Sequence, residues 1–129
     1  MNKILVEVSI GELLDKISIL EIKLDKIKDS ENLKFISNEH SILKKQLDNN
    51  VKSDDKIVKF FQSLKEINEK LWVIEDEKRQ CEKDKDFGEQ FIKLSRDVHF
   101  LNDERAKIKL DINNHTGSSI KEIKEYTSY

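Results

Sequence analysis

The chain has 129 residues, enough for one domain with one modest core. Charged residues make up 39% and hydrophobic ones 36%, a balance met in helical bundles and not in disordered chains. The net charge is −2 and only Arg79, Arg96 and Arg105 are arginines among the 24 basic residues, so the basic surplus or arginine clustering of a nucleic-acid binder is missing.

Proline is absent, and glycine occurs only at Gly11, Gly88 and Gly117. So few breakers permit long helices and argue against a sandwich or barrel, whose tight turns need them. The lone Cys81 cannot close an internal disulfide, and without a second cysteine there is no zinc signature. No run approaches the ~18 apolar residues of a membrane span. Residues 1–8 are too short and too soon charged for a signal peptide. A cytoplasmic setting is expected, with no membrane insertion and no nucleic-acid partner.

Residues 3–8 alternate and are rich in β-branched types, which predicts a short strand or extended arm. Ser9 and Glu12 have capping-box spacing and open a first helix over 9–28, with Ile10, Leu13, Ile17, Leu20, Leu24 and Ile27 as its stripe. Ile19 and Ile22 add a second apolar line, which calls for either a central place in the bundle or a subunit interface. A second helix over 31–48 carries Leu33, Ile36, Leu43 and Leu47, with His40 on the seam, and the polar tract 48–55 is a loop. The third helix, 54–83, carries Ile57, Phe60, Leu64, Ile67, Leu71, Ile74 and Cys81 at near-heptad spacing. Asp86 and Glu89 repeat the box spacing before a fourth helix over 87–114, seamed by Phe87, Phe91, Leu94, Val98, Leu101, Ile108 and Ile112. Ser95, Asn102, Ala106, Lys109 and Asn113 form a small, polar flank beside that seam. Gly117 is placed for a left-handed cap, and a short amphipathic helix over 118–126 follows.

The residues that carry chemical information are polar ones on or beside these stripes: Glu21, Asn68, Trp72, Glu75, Asp76, Asn102, Asp103, Arg105 and Lys109. A guanidinium in a bundle seam must be paired, because burying it alone costs several kcal/mol. Glu75 and Glu21 are its natural partners. Two readings follow: a buried polar network that sets helix register, or a small polar or anionic ligand held between the third and fourth helices. No Glu-x-x-His pair exists for a di-iron bundle, and the carboxylates alternate with lysines as a solvated face does. No metal and no cofactor is expected, and no nucleophile–base pattern marks a catalytic residue.

The blocks VSIGELLDKISILEIK, LWVIEDEKRQCE, DFGEQFIKLSRDV, NDERAKIKLDIN and KEYTSY, in this order, resemble a family of small helical bacterial and phage proteins of unknown function. The resemblance implies a helical fold, no established activity and an association with surface-polysaccharide and glycosyltransferase genes. The expectation is an all-α protein: a coiled-coil-like antiparallel four-helix bundle with an extended N-terminal arm and a short C-terminal helix, in one domain over 1–129. Its expected role is that of a non-enzymatic interaction or scaffold protein, a homodimer with a possible further protein partner. The alternative is a small-molecule binding protein or enzyme linked to surface-polysaccharide metabolism.

Overall fold

The computed structural model describes residues 1–129. It contains four helices and no strand: α1 (Ile10–Lys26), α2 (Ser30–Asn50), α3 (Asp55–Asp84) and α4 (Glu89–Thr116). Three of them begin on a side-chain cap, of which the sequence marks Ser9. Ser9 accepts from Glu12 N (3.0 Å), Asp29 from Asn32 N (2.9 Å) and Asp54 from Ile57 N (2.8 Å), each satisfying an otherwise orphaned donor. The fourth does not. Gly88 takes the cap position of α4, and Asp86 turns back to accept from Gly88 N at 3.1 Å, so the 86–89 box does not form. The cause lies upstream. Lys85 ends α3 in the left-handed region at φ 53°, its N–H bonded to the carbonyls of Cys81 and Glu82, and the chain leaves in a tight turn.

At the other end Gly117 closes α4 at φ 67°, as its position predicts. The helix expected over 118–126 is absent. Ser118, at which it would begin, is engaged elsewhere: its hydroxyl accepts from Ile10 N at 3.2 Å and donates to the Ile120 carbonyl at 2.8 Å. The tail instead lies along α4, tied by Glu122 to Lys109 and by the Tyr129 hydroxyl to Asp103.

The helices run up, down, up and down. α1 and α4 are antiparallel, with Gly11 meeting Asn113 and Asp15 meeting Arg105. The backbone of α1 packs against each of the other three helices, α3 packs against α4, and α2 approaches α1 alone. The two apolar sides of α1 are thereby used within the chain: Leu14, Ile17, Leu20 and Ile22 are all buried. Each contributes about 1.5–3 kcal/mol by leaving water. Leu14 joins Ile57, Leu64 and Ile112 in one core cluster. No residue of α2 is buried; half-buried Leu33, Leu43 and Leu47 hold it, which makes it the least secured helix. Residues 1–8 form an exposed arm without regular structure.

Candidate functional site

The site is built where α1, α3 and α4 meet. On α1, Gly11, Asp15, Ser18 and Ile22 share a face at the i, i+4, i+7, i+11 spacing, and all four are buried. Opposite them α4 presents Asn102, Arg105, Lys109 and Asn113 at matching intervals. α3 brings Asn68 to the same level.

At the N-terminal end of this face the backbones nearly touch. A Cβ on Gly11 would lie 2.5 Å from the Lys109 carbonyl oxygen. Gly11 N donates to Asn113 Oδ1 at 2.7 Å and Ile10 N to the Ser118 hydroxyl, so side chains from about a hundred residues away cap the first turn of α1. With Glu12 N held by Ser9, that helix end keeps no free donor for an anion. The buried Asn113 Nδ2 has no partner.

One turn deeper lies Asp15, only 1% exposed. Arg105 grips it with two bonds, Nε to Oδ1 at 2.9 Å and Nη2 to Oδ2 at 2.5 Å. Asn68 Nδ2 donates to Asp15 Oδ1 at 2.9 Å and to Ser18 Oγ at 2.8 Å, and Ser18 donates to the Asp15 carbonyl at 2.7 Å. Asn102 Oδ1 accepts from Arg105 Nη1 at 3.4 Å. Burial pushes the Asp15 carboxyl up, but the hydrogen bonds from Arg105 and Asn68 and the charge of Arg105 outweigh it and hold the group below the usual carboxylate range. The same bond from Asp15 raises Arg105 further. Lys109, 8% exposed, sits between Glu12 at 2.6 Å and Glu122 at 3.0 Å; burial lowers it, and those two partners more than restore it. The row Glu122–Lys109–Glu12 and the group Asp15–Arg105–Asn102 thus line one interhelical seam. Such a seam fixes register, because sliding α1 along α4 would strand buried charges.

The structure distributes the sequence-selected residues unevenly. Asn68, Asn102 and Arg105 converge, but on Asp15 and not on Glu75 or Glu21. Glu75 sits on the outer edge of α3 and pairs with Arg79 one turn on, at 3.0 Å. Glu21 bridges His40 and Lys65, each at 3.3 Å, toward α2. Only position 15 of α1 faces the guanidinium. Trp72, Glu75 and Asp76 line a cleft of about 450 Å³ between α1, α3 and α4, with Asn68 and Arg105 also in its lining. Lys109 joins the same seam through Glu12, while Asp103 stands apart, against Tyr129.

Gly11, Glu12, Asp15 and Ser18 are not among the candidate site residues of the sequence, and Asn113 figures there only on the polar flank of α4. Their signal is a stripe of small and polar residues at helical spacing on α1, complementary to the polar flank of α4. No group of three or more His, Cys, Asp or Glu lies placed to hold a metal ion, and no helix is long and apolar enough to cross a membrane.

No curated protein and no solved structure matches the chain. One family model does, over residues 4–129, nearly the whole chain and most of the exposed arm. The chain therefore belongs to the Family of unknown function (DUF6165).

Proposed function

We propose that the protein is a helical interaction module that works as a homodimer. The observation that carries this is its surface. A compact monomer of 15.2 kDa exposes roughly 7,100 Å², whereas this chain exposes 9710 Å². The excess, about 2,600 Å², is at the top of what one partner contributes to an obligate dimer interface, roughly 1,000–2,500 Å². Part of it is apolar chain with nothing over it: Ile4, Leu5 and Val6 of the arm are 88%, 89% and 75% exposed.

A second copy supplies a surface for that arm. Between α3 and α4 runs a groove of about 740 Å³ with Val73, Ile74, Phe100 and Leu101 among its lining residues, where Glu66, Glu69, Asp97 and Glu104 outnumber Lys26 and Lys70. An extended segment carrying Ile4 and Val6 on one side, with Lys3 among the acidic residues, matches it in polarity and charge. Mutual exchange of arms about a two-fold axis would use the groove twice.

Sedimentation equilibrium at micromolar concentration tests this. The expected result is a dimer that becomes a monomer in the Ile4→Asp/Val6→Asp variant, whose helix content is unchanged. A wild-type monomer under those conditions overturns the proposal.

A further inference from the structure

We propose that the cleft between α1, α3 and α4 binds a small organic ammonium whose apolar body carries a hydrogen-bond donor at its far end. Self-association plays no part in this inference.

Its floor is Asn68, 5% exposed and part of the cleft lining. Asp15 is a carboxylate held in its charged form, able only to accept, so the atom of Asn68 that touches it must be the NH₂. Both contacts of the carboxamide, to Asp15 and Ser18, are made by that nitrogen. Oδ1 accepts from no protein group and is not fully enclosed, and Asn68 lines the cleft, so a donor lodged there can reach it. An acceptor fixed in orientation by a buried ion pair gives the donor of a ligand a defined partner.

The charges of the lining decide the rest. Arg105 is neutralised by Asp15 and Arg79 by Glu75. Asp76 is the carboxylate left without an ion-pair partner. Asn68, Trp72 and Asp76 follow one another at i, i+4 and i+8 along α3, so the acceptor, the indole and the free carboxylate stand in a line about 12 Å long at the backbone. Ile19, Ile22 and Leu71 supply the apolar wall. The order acceptor, aromatic, anion asks for a ligand with a donor, an apolar body and a cation in the same order. An anionic ligand would meet an unpaired carboxylate and no unpaired cation.

Tyramine is the probe: its phenol donates at one end and its ammonium stands at the other. Trp72 is the sole tryptophan, so one indole N–H resonance reports the cleft. In titrations of the intact protein, tyramine shifts that resonance saturably. Phenethylamine, lacking the hydroxyl, binds several-fold more weakly, and 3-(4-hydroxyphenyl)propionate, with carboxylate for ammonium, causes no saturable shift. Asp76 is exposed, so Asp76→Asn leaves the remaining spectrum in place and weakens tyramine about threefold. No saturable shift up to about 10 mM tyramine, or equal binding of the carboxylate isostere, overturns the proposal.

Discussion

Arg105→Met removes the cation from the seam and keeps the length and apolar stem of the side chain. Asp15 is then a carboxylate 1% exposed, with Asn68 as its remaining side-chain donor. Breaking a buried pair in this way costs about 3–5 kcal/mol. The Arg105 side chain is 28% exposed, so water can reach the vacated position and the lower end, about 3 kcal/mol, is expected. That corresponds to a drop of roughly 2 M in the urea midpoint at fixed protein concentration.

The pH dependence identifies the cause. In the wild type the Asp15 carboxyl titrates below its unfolded value, so its contribution is complete above about pH 4 and is lost as pH falls through the lowered folded value. In the variant, burial without its cation raises the folded value above the unfolded one. Destabilisation is then largest near neutrality and shrinks as pH falls toward 4 and Asp15 takes up a proton. Urea unfolding of both proteins between pH 7 and 4 measures the difference. Adding Asp15→Leu should recover at least half of the loss, because the stranded charge disappears. A cost below about 1 kcal/mol that stays constant with pH would refute the buried-pair account, since it is what a solvent-screened surface pair gives.

Two further substitutions test the backbone, one at the close approach of α1 to α4 and one at the end of α3. Gly11→Ala places a Cβ against the Lys109 carbonyl, backbone that cannot yield without parting α1 from α4; thermal unfolding should show a loss of about 2–3 kcal/mol, where a helical Gly→Ala change would otherwise stabilise. Lys85→Gly relieves a left-handed lysine at the end of α3 and should stabilise by about 1 kcal/mol, raising the melting temperature by roughly 4 °C.

Much of the fold is written in local chemistry. Leu64, Ile67 and Leu71 follow the 3.6-residue period, and that period alone marks α3 as a helix buried along one face. Ser9 and Gly117 bound helices through bonds to residues about a turn away, so sequence suffices to find them. Local signals failed where another group, distant or adjacent, competed for the same atoms. Ser118 could cap a helix, but Ile10 N takes its hydroxyl, and no C-terminal helix forms. Asp86 could cap α4, but the left-handed exit at Lys85 turns it onto Gly88.

The polar seam divides in the same way. That Arg105 needs a buried anion follows from the cost of desolvating a guanidinium, and the sequence determined that much by itself. Which anion meets it depends on how α1 lies across α4, and that depends on Gly11, where the absence of a side chain lets two backbones approach. Glu75 and Glu21 have the right charge, but they sit on faces that the packing turns elsewhere; Asp15 has the right place. Charge, period and caps belong to the chain, while the pairing of residues about ninety apart belongs to the tertiary structure, because only the packed helices fix the distance between them.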